Sequence, residues 1–450
     1  ALLKARTPQG AIAWTISLLA LPLLTVPMYL VFGRNRFDGY LEQRSELEAR
    51  SNALIEGRAG VIRDHIVEPD TPLYASLCAL ARMPPTRGNT VELLIDGEQT
   101  FDSLAAGLQR AEKYVLFQFY IIRDDALGRR IGKLLSDRAR AGVRVCLLYD
   151  EFGSYTFPGT RLHKQLLQTG VEVVPFNTTQ GRRNRLQLNF RNHRKVVVVD
   201  GREAWIGGLN IGDEYLHGDR RLGYWRDTHA RFEGPAVHGA ELAFATDWLW
   251  ATRKILDIDW DFSTTSEGDC EVLVFPSDPA SDYEEAGLMY HQLIASARER
   301  IWIASPYFVP DRAIISALQL AALRGVDVRV MIPEKAEGHV LAMANWSYTR
   351  ELMPVGVKVY RFQGGYMHQK VVLMDNATAG VGTANFDNRS FRLNFEITLL
   401  VESTEFARDV EQMLEADFQQ CRQVTLRDLE DKPGWFPFAM GAARLFAPLL

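Results

Sequence analysis

Two stretches of this chain, 175 positions apart, carry the same unusual pattern: H-x-K-x4-D-x6-G-[GT]-x-N. The first copy is His193, Lys195, Asp200, Gly207, Gly208 and Asn210; the second is His368, Lys370, Asp375, Gly382, Thr383 and Asn385. Weaker echoes surround them in the same order. ARAGVRVCLLYDE (139–151) matches ALRGVDVRVMIPE (322–334), and TGVEVVPF (169–176) matches VGVKVYRF (355–362). A duplication of this length implies two similar units rather than a short-period solenoid. Two such units commonly meet face to face, with matching sites at their shared interface.

Within each copy the spacing has a physical reading. Residues i and i+2 of a strand project to one face, so His193 and Lys195 point together, as do His368 and Lys370. The runs VVVV (196–199) and VVLM (371–374) bury their strands. Asp200-Gly201 and Asp375-Asn376 carry turn chemistry, so each strand folds back as a hairpin. The return strand ends on small residues, which admit a close ligand. Upstream, VELLI (91–95), YVLFQFYII (114–122) and VRVCLLYD (143–150) read as strands alternating with helices over 101–113 and 128–141. That alternation predicts an α/β fold with a buried, parallel or mixed sheet.

The 450 residues are 47% hydrophobic and 24% charged, with a net charge of −5, ordinary globular values that exclude a disordered or disulfide-scaffold chain. A pI near 6.1 argues against a life on nucleic acid. The four cysteines, Cys78, Cys146, Cys270 and Cys421, lie far apart without metal or redox spacing, which points to a reducing compartment and no structural zinc. Cys146 reads as core, Trp248 and Trp250 as helix packing, and the remaining histidines as surface or packing residues. Ile12–Phe32 is apolar and would rise about 31 Å as one helix, the thickness of a bilayer core. Trp14 and Tyr29 stand near its ends, and Lys4, Arg6, Arg34 and Arg36 flank it. This predicts a membrane span, with Pro22 and Pro27 implying a kink or a re-entrant shape. The tail 434–450 is aromatic and apolar, suited to packing on the protein or to the membrane interface.

The paired motifs resemble the phospholipase D superfamily with its two HKD motifs. SPYFVPD (305–311), FQGGYMHQK (362–370), GTANFDNRS (382–390) and LNFEITL (393–399) are similar to one branch, the bacterial cardiolipin synthases. The resemblance spans essentially the whole chain. It implies two tandem phospholipase D-like α/β/α sandwich repeats packed face to face, with an N-terminal membrane helix. The expected layout is a membrane-anchoring segment over 1–33, a helical connector over 34–90, repeats over 91–265 and 266–432, and an interfacial segment over 433–450. The family usually has two N-terminal membrane segments; the one visible here suits a chain that begins late. Members commonly carry Ser where Gly208 stands.

A phosphodiester needs a nucleophile, a proton donor for the leaving alkoxide and cations for the non-bridging oxygens. Two imidazoles can share the first two tasks, and Lys195 and Lys370 supply the charge without a metal or other cofactor. The residues alone leave the two histidines equivalent. The resemblance implies a phosphohistidine on His193, with His368 as general acid and then base. Asn210, Thr383 and Asn385 are the expected phosphate contacts. Asp200 and Asp375, the motif acids counted with the catalytic set, read as turn-stabilising residues near the site. The resemblance also implies a carboxylate 25 to 35 residues after each motif histidine to orient an imidazole, and Asp227 and Glu396 occupy those places. Six basic residues and no acid fall between Val173 and Val199: Arg182, Arg183, Arg185, Arg191, Arg194 and Lys195. They suggest either a positive mouth for an anionic headgroup or a solvated basic loop.

The implied activity condenses two phosphatidylglycerol molecules to cardiolipin and glycerol at the bacterial inner membrane, with the catalytic region on the cytoplasmic side. The expected partners are those lipids and the membrane, with no nucleic acid and homo-oligomerisation left open. The alternatives are a hydrolytic phospholipase D, a phospholipase D-like endonuclease, and a non-enzymatic membrane scaffold.

Overall fold

A computed structural model describes residues 8–33, 37, 40, 64–176, 189–258, 260 and 266–447. The first half carries β1 (Thr86–Ile95), β2 (Tyr114–Phe119), β3 (Arg144–Asp150), β4 (Glu172–Phe176), β5 (Arg191–Asn192), β6 (Val196–Val199), β7 (Glu203–Gly207), β8 (Trp225–Arg226) and β9 (Thr228–Glu233). The second carries β10 (Cys270–Ser277), β11 (Arg300–Ala304), β12 (Phe308–Val309), β13 (Asp327–Pro333), β14 (Lys358–Phe362), β15 (Tyr366–Met367), β16 (Val371–Met374), β17 (Thr378–Gly382), β18 (Phe386–Asp387), β19 (Asn394–Glu402) and β20 (Cys421–Gln423). Strands β2 and β6 are buried at every position, which is why their sequences run apolar without alternation. Short polar residues start the helices between strands. Asp125 accepts the Gly128 N–H ahead of helix 126–140, and Asp311 accepts the Ile314 N–H ahead of helix 312–323.

One sheet runs β20-β14-β13-β11-β16-β17-β19-β10-β1-β9-β7-β6-β2-β3-β4. Reading outwards from its centre, β1-β9-β7-β6-β2-β3-β4 mirrors β10-β19-β17-β16-β11-β13-β14, so the duplication survives as an approximate twofold. The repeats meet first edge to edge, through the antiparallel β1–β10 pair. They also meet face to face: β7 and β9 lie against β17, and β7 against β19. One apolar core holds Val196, Val198, Ile206 and Phe232 of the first repeat together with Val371, Val381, Leu399 and Val401 of the second. The hairpins expected after Asp200 and Asp375 form, β6 pairing with β7 and β16 with β17.

A single spanning helix is not seen among the described residues. The apolar run divides into helices Pro8–Ala20 and Pro22–Phe32, and no helix among the described residues is long and apolar enough to cross a membrane. Leu21 leaves helical geometry at φ −138°, ψ 61°, as the residue before a proline tends to. The two helices fold back on each other. Trp14 and Tyr29, expected at opposite membrane faces, instead meet edge to face at 5.2 Å, and Thr25 Oγ1 donates to Ser17 O at 2.8 Å. Of the expected connector over 34–90, residues 34–36, 38–39 and 41–63 lie outside the described residues; beyond them comes the helix Pro72–Ala81. In the tail, helix Phe436–Arg444 buries Phe436, Met440 and Ala443, while Trp435 and Phe438 stay 62% and 83% exposed, so it packs and presents an apolar face at once.

Candidate active site

Each motif histidine enters the site on a two-residue strand that pairs with the opposite repeat. β5 runs parallel to β19, setting Arg191 beside Asn394 and Asn192 beside Phe395, and the His193 N–H donates to Phe395 O. β15 runs parallel to β8, setting Tyr366 beside Trp225 and Met367 beside Arg226, and the His368 N–H donates to Arg226 O. The next residue on each host strand is the carboxylate. His193 Nδ1 lies 2.9 Å from Glu396 Oε2, and His368 Nδ1 lies 2.7 Å from Asp227 Oδ2. The pairing is therefore crossed: each acid orients the histidine of the other repeat. A carboxylate only accepts, so in His193 Nδ1 carries the proton and the Nε2 lone pair remains available; His368 Nδ1 sits between the Asp227 carboxylate and the Lys370 ammonium, whose Nζ is 2.8 Å away.

The two dyads share a plan but differ in surroundings. Burial pushes the His193 imidazole down to about 4; Glu396 opposes the shift and Lys195 adds to it. His368 is driven well below its ordinary value, by burial and then by Lys370. Lys370 itself falls to about 8 through burial, against the pull of Asp227. Burial likewise holds Lys195 well below its usual range. The lysine ammonium groups donate to the carbonyls of their own histidines, Lys195 Nζ to His193 O at 2.7 Å and Lys370 Nζ to His368 O. Glu396 accepts from Thr383 Oγ1 at 2.6 Å and Asn394 Nδ2 at 3.0 Å. Burial raises the Glu396 carboxyl, but His193, Lys195 and Thr383 outweigh it and keep the acid below its normal range. Asp227 has no such hydroxyl, and burial leaves its carboxyl raised despite Lys370. The place where a hydroxyl would come from is Gly208, and a Cβ there would lie 2.0 Å from Asp227 Oδ1.

Several expected site residues do other work. Thr383 holds Glu396 and accepts the Ile397 N–H at 2.9 Å, so its hydroxyl is turned to a carboxylate rather than to a phosphate. Asp200 and Asp375 stand at the far ends of β6 and β16, about 16 Å of extended chain from the histidine end. Asp200 accepts the N–H groups of Glu112, Lys113 and Tyr114, and Asp375 those of Arg298, Glu299 and Arg300. Both adopt left-handed backbone, φ 55° and 51°. They lock the turn to the start of the neighbouring strand and cannot touch a substrate at the imidazoles. Asn210 accepts from Ile121 N and donates to Tyr215 Oη, using both ends of its amide. Asn385 is buried, and its Oδ1 has no hydrogen-bond partner among the described residues. Arg194 does not line a positive mouth. It is 2% exposed, paired with Asp247 at 2.9 Å, and donates to Glu396 O and Ser277 O. Arg182, Arg183 and Arg185 lie outside the described residues.

A family model described as "Cardiolipin synthase, PLD-like domain" matches residues 104–223 and 290–418, one match in each repeat. The chain is 43% identical to cardiolipin synthase A of Pseudomonas fluorescens over 456 residues, covering all of this chain and 95% of that protein. It is 45% identical to cardiolipin synthase A of Pseudomonas aeruginosa over 457 residues, covering all of this chain and 92% of that protein. The chain belongs to the phospholipase D-like cardiolipin synthase family. Among solved structures, the phosphatidylserine synthase of Haemophilus influenzae superposes with a TM-score of 0.64 at 15% identity, over 84% of this chain and all of that one. That likeness establishes a shared fold.

Two acids of this phospholipase D-like chain escaped the sequence reading. Asp247 is fully buried and gathers Arg194, Asn192, Gln118 and Tyr40 behind the first histidine strand. Asp417 accepts both arms of Arg226 at 2.8 Å and Gln369 Nε2 at 2.7 Å behind the second. A signal was present: ATDW (245–248) and EADF (415–418) place an acid before an aromatic at matching points of the duplication.

Proposed function

We propose that the protein is a cardiolipin synthase that transfers a phosphatidyl group between two phosphatidylglycerol molecules. The observation that carries the reading is the pair of imidazoles, each with Nδ1 held by a buried carboxylate and Nε2 left free, in a chain similar along its whole length to proteins of that name. His193 attacks the donor's phosphorus with its Nε2 lone pair. The bond from phosphorus to the glycerol oxygen breaks, and His368, which takes up a proton on Nε2 as the phosphodiester binds, gives that proton to the oxygen. The hydroxyl of a second phosphatidylglycerol then attacks phosphorus, the P–N bond breaks, and the hydroxyl proton passes to His368 Nε2. Lys195, Lys370 and Asn385 face the non-bridging oxygens. His193 takes the nucleophile's role by the family resemblance, and Glu396 behind it is the acid held more firmly ionised, by Thr383 and Asn394.

The reaction belongs at a bilayer, where both substrates are concentrated. The N-terminal helical hairpin presents Leu19 and Leu23, 80% and 95% exposed, with Ile12, Ile16 and Leu24 beside them. The chain after the hairpin is anchored next to the site. Phe37 packs against Phe190, Trp250 and Phe395, and Phe395 directly precedes Glu396. The hairpin enters the bilayer without crossing it, and the tail adds Trp435 and Phe438. The catalytic face looks to the cytoplasmic side of the inner membrane.

The test is product analysis. Purified protein given phosphatidylglycerol vesicles yields cardiolipin and free glycerol in equal amounts, and excess glycerol suppresses net synthesis, since exchanging one phosphodiester for another is nearly energy-neutral. Phosphatidic acid as the main product would replace this reading with that of a hydrolase.

A further inference from the structure

The surroundings of the two imidazoles differ in charge as well as in hydrogen bonding. His368 is boxed by rings, with Trp225, Tyr366 and Tyr215 centred 5.5, 5.8 and 6.2 Å away. His193 has one such neighbour, Tyr120, edge-on at 5.0 Å. Beyond Tyr120 stand two guanidinium groups, one from each repeat. Arg191, two residues before His193, lies flat on the Phe152 ring at 3.9 Å and donates to Phe190 O at 2.6 Å. Arg389, from the GTANFDNRS segment, donates to Asn189 Oδ1 at 3.1 Å and to Asn189 O at 2.7 Å. Both lie within electrostatic reach of the Tyr120 hydroxyl.

The placement is costly in an empty site. Arg389 is partly buried, its hydrogen-bond partner Asn189 is neutral, and among the described residues it has no salt bridge. Burial and then the charge of Arg191 depress its guanidinium below the ordinary range. The nearest acids are already engaged: Asp150 accepts the backbone N–H groups of Phe152, Gly153 and Asn192, and Asp387 that of Ser390. Two like charges brought together beside a half-buried ring invite an anion that both can grip, and guanidinium forks suit a phosphodiester. The reacting phosphate has its own cations in Lys195 and Lys370, so a second cationic pair suits a second phosphate.

We propose that Arg191 and Arg389 form a second phosphate subsite, which holds the phosphodiester of the acceptor phosphatidylglycerol while its glycerol hydroxyl reaches the phosphorus on the histidine. This rests on the synthase reading above. The two phosphates of the product are one glycerol unit apart, and one tyrosine ring separates the arginines from His193. The subsite selects an anionic lipid alcohol over water and over neutral alcohols.

Two reactions of the same protein separate this role from the donor chemistry. Exchange of labelled glycerol into phosphatidylglycerol vesicles uses the donor site and a neutral acceptor; cardiolipin formation from the same vesicles needs the second phosphate. For Arg389→Gln and Arg191→Gln the ratio of cardiolipin formation to glycerol exchange falls about tenfold or more, the worth of a lost charge-assisted contact. Arg389→Lys recovers part of the ratio, because charge is kept and the fork is lost. Retained exchange also shows that the variants are folded. If both reactions fall together, the arginines serve the donor or the fold and the subsite is overturned; it is overturned equally if neither changes. Wild-type protein that gives phosphatidic acid in place of cardiolipin would overturn the synthase reading itself, whatever the variants do.

Discussion

At the scale of single residues the site depends on proton placement. His193 needs Nδ1 protonated and Nε2 bare in order to attack, His368 needs a proton on Nε2 in order to release the alkoxide, and a carboxylate at Nδ1 orients each ring. Glu396→Gln and Asp227→Asn keep the shape but let the ring turn over, so each should lower turnover about 10³-fold or more, by the precedent of amides in place of orienting acids. His193→Ala and His368→Ala should abolish it, since nucleophile and acid act as one unit. Thr383→Val, which removes one hydrogen bond to Glu396, should cost about tenfold, in line with a bond to a charged group. Steady-state assays on phosphatidylglycerol vesicles check all five, and a Thr383→Val loss as deep as that of Glu396→Gln would return Thr383 to the substrate. The pH behaviour has a definite sign. Burial lowers His193 to about 4 and holds His368 well below its ordinary value, so at neutral pH both rings of the empty site are uncharged. An arriving phosphodiester favours an imidazolium, so binding should draw one proton from solution. Calorimetric titration with inorganic phosphate at pH 7, in two buffers of different ionisation enthalpy, measures that uptake. Heats independent of the buffer would mean that the general acid is already charged.

At the scale of elements, the N-terminal run shows how one proline changes the meaning of an apolar segment. A mostly apolar run of 21 positions is long enough for a span, yet Pro22 removes a helical N–H and forces Leu21 out of helical geometry. Trp14 and Tyr29 come together as a consequence. In the reading proposed above, the hairpin dips its exposed apolar side into the bilayer. Leu19→Asp with Leu23→Asp should therefore strongly weaken co-flotation with phosphatidylglycerol vesicles, while the variant's glycerol exchange in detergent micelles stays close to that of the unaltered protein. Trp14 fluorescence should shift to shorter wavelength on vesicle binding, and an unchanged spectrum would remove the hairpin from the bilayer. The short strands β5 and β15 work in the opposite direction. Two residues long, each pairs with a strand of the other repeat and so fixes its histidine in the neighbour's half of the molecule.

At the scale of the whole molecule, the approximate twofold assembles one site from two incomplete ones. Each half supplies a histidine and a lysine to its own motif and a carboxylate to the other. A mixture of His193→Ala and His368→Ala proteins should accordingly remain inactive, because both motifs of a site come from a single chain. Recovered turnover in the mixture would reveal exchange of repeats between copies. The shared core and the β1–β10 pair bind the halves into one sheet, so a fragment ending at residue 265 would expose the inner faces of β7 and β9 and the edge of β1.

Much of this was legible in the amino-acid order. The repeated H-x-K-x4-D-x6-G-[GT]-x-N carries its own period-two geometry, so the duplication, the buried strands, their hairpins and the residues at each end of them could be read without coordinates. Which acid serves which histidine could not. Asp227 follows His193 in the chain and Glu396 follows His368, yet the parallel pairing of β5 with β19 and of β15 with β8 exchanges them. The hydroxyl of Thr383 and the carboxylates of Asp200 and Asp375 look like site residues by position, but their hydrogen bonds are spent on Glu396 and on backbone N–H groups. Arg194 reads as one more basic residue until Asp247 is found facing it. Local order dictates which way a side chain leaves its strand. Its partner is chosen by contacts between residues distant in sequence, and a catalytic hydrogen bond exists only once the two halves have closed.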